Sequence, residues 1–308
     1  MKYLLAALFC LTCAFSASGQ DIGPDKAVLY AAGFTFPEGP VFDRNGNLYL
    51  VNYKSTVINK VSPVGKVSTV VDIGAFNNGA IFDREGNLYI ASSGLGAILM
   101  LDPAKKLKTV AATSDGDSLL GPNDMTWDNS GRLYFTDPKG SGEENLIGGI
   151  HYIGSDGITH RFAGGLAYPN GIAFSLDKKY LYVTETSLNR LLRYEVLADG
   201  TAGARNVMIE FPKNSIPDGM KIDVKGNLWV AVHTLGEIWR ISPNGARLGT
   251  VKLPTKFVTN LVFGGPDMKT IYVTAFDEWQ SPSGRIYAIP AGVAGVPVLP
   301  PVRHKPAK

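Results

Sequence analysis

The chain has 308 residues, 45% hydrophobic and 19% charged, enough to bury a full-sized core. Its 30 basic and 27 acidic residues give a formal net charge of +3 and are scattered along the chain. That excludes a dedicated nucleic-acid protein, which carries a concentrated basic stripe, and the 35 glycines and 19 prolines favour tight turns over long helices.

The first element has the layout of a secretory signal over residues 1–19. Lys2 precedes an apolar run from Leu4 to Phe15, and the small residues Ser16, Ala17, Ser18 and Gly19 follow. The run is too short for a membrane span, which needs about 20 residues. An exported protein, secreted or periplasmic and without a membrane span, is expected. Cys10 and Cys13 both lie in the signal, so the mature chain is expected to lack disulfides, Cys–metal sites and Cys nucleophiles.

A strand candidate, Ala27–Ala31, precedes six copies of one phrase: GNLYLVN, GNLYIAS, GRLYFTD, KYLYVTE, GNLWVAV and KTIYVTA. Their aromatics, Tyr49, Tyr89, Tyr134, Tyr182, Trp229 and Tyr272, are spaced 40, 45, 48, 47 and 43 residues apart. Each phrase is aromatic and β-branched and reads as a strand. Turn signals precede several of them, such as Asp43-Arg44-Asn45-Gly46 and Asp223-Val224-Lys225-Gly226. Third and fourth apolar segments follow, for example Ile98–Leu101 and Leu107–Ala111. Four short strands per period of this length predict an all-β, six-bladed β-propeller over 22–290. The sixth repeat lacks a fourth strand, so the N-terminal candidate is expected to pair with the last blade and close the ring. Residues 291–308, rich in Pro and Ala, are expected to form an extended tail.

Counting back 11 or 12 residues from each aromatic reaches Glu38, Asn78, Asn123, Asn170, Asp218 and Asn260. The first strand of a propeller blade is innermost, so these oxygen-bearing side chains would surround the central channel. Asn, Asp, Pro and Gly also favour turns, and for any single position the turn reading stands beside the functional one. Two features favour the ring for the set: Glu38 is no turn former, and Asn123 and Asn260 lack a following glycine. Two carboxylates and four amides form an oxygen-only donor set suited to a hard dication. Ca²⁺ leads, Mg²⁺ or Mn²⁺ follow, and Zn²⁺, which prefers nitrogen or sulfur, comes last.

At PEGPVFD (37–43), PNDMTWD (122–128), YPNGIAF (168–174) and PDGMKID (217–223) the chain resembles the SMP-30/gluconolactonase family, with related calcium-dependent lactonases and diisopropylfluorophosphatases. The resemblance covers essentially the whole mature chain. It implies a six-bladed propeller with a divalent metal in its central tunnel. By position it implies that Glu38, Asn170 and Asp218 are core metal ligands. It implies further that Asn123 contacts metal and substrate, and that Asp218 is also the general base. Asn78 and Asn260 are expected in a second layer. The family's animal members carry an arginine where this chain has Gly121, which sets an aldonolactone substrate in doubt.

The expected activity is hydrolysis of a small lactone or ester. The metal would polarise the carbonyl, with carboxylate-assisted attack by water. Alternatives are phosphotriester hydrolysis at the same site, or a non-catalytic binding module. Asn52, Tyr53, Ser92, Asp137, Glu185, His233, Phe276, Asp277 and Trp279 are candidate pocket walls. His233 reads as a rim residue without a catalytic role, and Asp137 as a turn cap. Asp43, Asp83, Asp128 and Asp223, each beside a hairpin glycine, read as structural. A monomer or small homo-oligomer is expected. No G-x-S-x-G elbow, phosphate-cradling P-loop or HExxH helix occurs in the sequence.

Overall fold

The computed structural model describes residues 21–279 and 282–297. The proposed signal and the end of the proposed tail lie outside the described residues. Six four-stranded antiparallel sheets follow one another, each built from chain-consecutive strands except the last. Their first strands are Pro37–Phe42, Gly79–Phe82, Met125–Trp127, Pro169–Phe174, Pro217–Ile222 and Phe257–Gly264. These strands contact one another in turn around the ring, so they are the inner strands of a six-bladed propeller. The sixth blade takes its outermost strand, Val28–Phe34, from the N-terminal side, paired antiparallel with Gly284–Pro290. Pairing the first described strand with the last leaves fewer open sheet edges.

The repeated phrases form the second strand of every blade, and their aromatics explain the period. Tyr49 packs edge-on against Phe82, Tyr89 against Trp127, Tyr134 against Phe174, Trp229 against Phe263, and Tyr272 against Phe42. Each pair joins the second strand of one blade to the end of the next blade's inner strand. Such pairs contribute about 0.5–1.5 kcal/mol beyond their area burial. Six hydrophobic clusters fill the gaps between neighbouring blades, one per gap. The core is therefore a ring of interfaces around a channel.

The hairpin aspartates are structural, as expected. Asp43 Oδ1 accepts the backbone N–H groups of Asn45 and Asn47. Asp83, Asp128 and Asp223 bind the corresponding backbone amides. One element was not expected, a small hairpin of Thr113–Ser114 with Asp117–Ser118 between blades 2 and 3. Its strands are too short for periodicity, although its turn, Asp115-Gly116 with positive φ at both residues, is an ordinary hairpin signal. The start of the expected tail is also fastened. Gly295 N–H donates to Met268 O (2.9 Å) and Val296 N–H to Ile222 O (3.0 Å).

Candidate functional site

The site sits where inner strands of the ring enter the channel. In blades 1, 4 and 5 the strand opens on Pro37-Glu38-Gly39, Pro169-Asn170-Gly171 and Pro217-Asp218-Gly219. The residue before each proline, Phe36, Tyr168 or Ile216, has a left-handed φ of 54°, 59° or 55°. For bulky side chains this costs roughly 1–3 kcal/mol and persists only where the surroundings enforce it. Directly after it the strand bulges, with register breaks between Glu38 and Val41, Pro169 and Ile172, and Pro217 and Met220. Bulges re-aim side chains, and here they fall on the three predicted core ligands.

The glycine after each of these residues makes room for a neighbouring blade, and Gly39 also takes a left-handed φ of 52°. At Gly39 a Cβ would lie 2.8 Å from Ala80 N and from Gly79 Cα. At Gly171 it would run into Asp218 O, and at Gly219 into the side chain of Asn260. Threonines fix the backbone as well. Thr136 Oγ1–H donates to Asn170 O (2.7 Å), Thr184 Oγ1–H to Asp218 O (2.8 Å) and Thr259 Oγ1–H to Pro37 O (2.7 Å). The first two belong to the repeated phrase, so one blade's second strand holds the next blade's site residue in place.

Glu38, Asn170 and Asp218 come together. The Asn170 side chain lies against Asp218, and Asp218 feels the charges of Glu38 and Asp124. Glu38 Oε2 accepts Gly39 N–H (2.7 Å) and Asn260 Nδ2–H (3.1 Å). Burial first, then carboxylate repulsion, raises Asp218 well above the usual range. Burial chiefly pushes Glu38 up to about 8. Asn123 is buried at the entry to blade 3, its backbone N–H donating to Thr136 O (2.8 Å), and a Cβ on Gly79 would strike its carbonyl oxygen. Asn78 is buried at the start of blade 2, its backbone N–H bonded to Ala91 O (2.9 Å).

Asn260 lies in a second layer beneath these groups, as expected, but sequence reasoning missed its partners Asp124 and Lys221. Asp124 is a third buried carboxylate, next to Asn123. Asn260 Nδ2–H also reaches Asp124 Oδ2 (3.4 Å), while Lys221 Nζ donates to Asn260 Oδ1 (3.3 Å) and stands 3.7 Å from Asp124 Oδ2. Asn260 therefore bridges Glu38 above and Lys221 below. The available signals were an aspartate where four other blades have glycine after the ring residue, and a lysine inside an apolar inner strand. Beyond this layer a cavity of about 510 Å³ opens, lined in part by Asp43, Arg44, Asn45 and Glu85 of the hairpin turns and by Pro297. Asp124 and Lys221 line it, but Glu38, Asn170 and Asp218 do not, so we place the chemistry at the buried carboxylates rather than in this larger space.

His233 is no rim residue. It is 2% exposed, with Nδ1 2.7 Å from Val258 O and 3.6 Å from Asp218 Oδ2. A carbonyl only accepts, so Nδ1 carries the proton and the buried Nε2, which has no partner, is a lone pair. Burial pulls its pKa down to about 4, so the ring is neutral near pH 7 and its contact with Asp218 is not an ion pair. The expected pocket walls divide in two. Asn52, Ser92, Asp137, Glu185 and Asp277 bind loop backbone or an arginine, and Asp137, accepting Leu120 and Gly121 N–H, is the cap expected of it. Tyr53, Phe276 and Trp279 instead join an aromatic group around His233.

The description SMP-30/Gluconolactonase/LRE-like region matches residues 36–277. A pentonolactonase of Haloferax volcanii is 33% identical over 155 residues, 49% of this chain and 52% of that protein. A 6-deoxy-6-sulfogluconolactonase of Pseudomonas putida is 36% identical over 143 residues, 43% of this chain and 49% of that one. The chain thus spans about half the length of these curated relatives. The crystal structure of a calcium-binding regucalcin of Agrobacterium tumefaciens covers 93% of this chain and 100% of its own, with TM-score 0.78 and 22% identity, a likeness of fold.

Proposed function

The chain belongs to the SMP-30/gluconolactonase/LRE-like family, and from that premise we propose that it is a metal-dependent hydrolase that opens a lactone ring. The observation that carries this reading is the burial of Glu38 and Asp218 side by side, both driven toward protonation. A dication relieves that conflict. The donors offered by Glu38, Asp218, Asn170 and Asn123 are all oxygens, which suits Ca²⁺, and the regucalcin noted above is described as calcium-binding. Once bound there, the ion would supply Lewis-acid polarisation of the lactone carbonyl and a countercharge for the oxyanion.

The protein's own groups do the rest. Asp218, oriented by Asn170 and Gly219, takes a proton from the attacking water. His233 stays neutral beside it and leaves the carboxylate without a buried cation partner. Asn123 holds the substrate, and the Asn260–Lys221 bridge keeps Glu38 facing the site. Export, read from residues 1–19, is part of this proposal. Among the described residues no helix is long and apolar enough to cross a membrane.

The test is a panel of lactones and phosphotriesters, assayed with and without chelator, beside metal analysis of the purified protein. Chelator-sensitive lactone opening supports the reading. Preferential phosphotriester cleavage would transfer the site to that chemistry. Absence of metal together with absence of turnover would leave only a binding platform.

A further inference from the structure

Three polar side chains expected at the mouth beside Asp218 are engaged elsewhere. Asn52 Oδ1 accepts Thr35 N–H (3.2 Å) and its Nδ2 donates to Val57 O (3.0 Å) and Asn59 Oδ1 (2.7 Å). Glu185 accepts Ala167 N–H (2.8 Å) and Arg190 Nε–H (2.5 Å). Asp277 accepts Lys256 N–H (3.0 Å) and pairs with Arg285. These groups are committed to fastening loops.

What remains is aromatic and continuous. Tyr168 stands within range of the charges of Asp218 and Glu38 and lies beside Tyr53. Tyr53 meets Phe36 at 5.2 Å between ring centroids, and Phe36 meets Trp279 at 5.2 Å. His233, 3.6 Å from Asp218, stacks on Phe257 at 5.2 Å, and Phe257 meets Trp279 at 5.5 Å. The wall starts at the carboxylate and ends in solvent at Trp279, which is 47% exposed. The chain's other tryptophans, Trp127, Trp229 and Trp239, are all buried.

We propose that this wall selects a lactone carrying an apolar alkyl or aryl substituent, with Trp279 and Phe257 as specificity-determining residues. The inference rests on the lactonase reading. A polyhydroxylated lactone pressed against the faces of Phe36, Phe257 and Trp279 would lose water from more hydroxyls than the few polar tips of this wall can pair, whereas a hydrocarbon substituent loses only unfavourable hydration. An apolar site rejects a single added hydroxyl by only about 10²-fold, and a polyhydroxylated lactone carries several.

Two measurements test it. The first compares kcat/KM for γ-decalactone and glucono-δ-lactone in the wild type, Trp279→Ala and Phe257→Ala. The wild type should favour γ-decalactone, and either variant should reduce that preference by about tenfold, as expected for one aromatic contact. The second titrates the protein with the ring-opened acid of γ-decalactone and follows tryptophan emission. A saturable blue shift is expected, because Trp279 is the solvent-facing tryptophan, and its midpoint should rise about tenfold in Phe257→Ala. Equal or better hydrolysis of glucono-δ-lactone would overturn the inference and leave the lactonase reading intact. A blue shift with no turnover of either lactone would uphold the wall and sink the lactonase reading. The absence of any shift would overturn the wall.

Discussion

Blades 1, 4 and 5 differ from blades 2 and 3 where the first strand enters the channel. The former open on a left-handed residue, a proline and then a bulge at Glu38, Asn170 or Asp218. The latter begin regular pairing only at Gly79 and Met125, and Asn78 and Asn123 precede those strands. Blade 6 has the bulge, between Val258 and Leu261, but no proline, and its Asn260 faces Glu38 and Asp124 from beneath. The repeat supplies six equivalent positions, and local backbone strain singles out three of them. Strain of this kind is retained where geometry matters more than stability.

The comparison is broken most directly at its ends. Asp218→Asn should lower kcat by about 10²- to 10⁴-fold if the carboxylate is the base, while Asn78→Ala in blade 2, being buried, should cost stability and leave kcat within about threefold. Parallel kcat measurements with metal binding verified decide this, and near-normal turnover by Asp218→Asn refutes the assignment. The strained entries can be sharpened next. Gly171→Ala forces a methyl group onto Asp218 O and should destabilise the fold by about 1–3 kcal/mol, seen as a Tm lowered by several degrees. An unchanged Tm would show that the entry is slack.

A third test uses pH without metal. Glu38 has a folded pKa of about 8, above its usual 4.5, so its protonated form favours the fold. That stability is complete below about pH 4.5 and fades as pH climbs through 8, and the raised Asp218 acts in the same sense. In chelator, Tm should fall from pH 5 toward pH 9, and added Ca²⁺ should restore most at the alkaline end. His233 works oppositely, losing stability below pH 6.5 toward its folded value of about 4. A flat alkaline limb in chelator would argue that the carboxylates do not repel. The smallest effect is expected at Lys221→Met, which removes one of two donors to Asn260 Oδ1, the other being Leu261 N–H. Calcium Kd by calorimetry should weaken a few-fold, and an unchanged Kd would reduce Lys221 to a filler of the channel.

Much of this was readable in advance, for reasons tied to particular residues. The spaced aromatics announce the blades because each must pack on the next blade's inner strand, as Tyr134 does on Phe174. The hairpin aspartates were assignable because an Asp two residues before a turn amide has one obvious partner. The turn reading of Asn-Gly and Asp-Gly at the ring failed. Gly171 and Gly219 make room for the neighbouring blade, a demand from residues some 40 positions away that no local motif encodes. His233 was misjudged because the sequence after Val232 resembles any surface loop, whereas Phe257, Phe276 and Trp279 converge on it only in space.

By itself, then, the order of amino acids determined the period, the sheet count and which residues carry oxygen at the blade entries, because strand pattern and turn chemistry act over a few neighbours. Which entries come together, what lies beneath them and what stands beside the mouth were decided only by tertiary structure. Those properties depend on distances across the ring between Glu38, Asp124, Asp218 and Asn260, set by the closing of six blades upon one another.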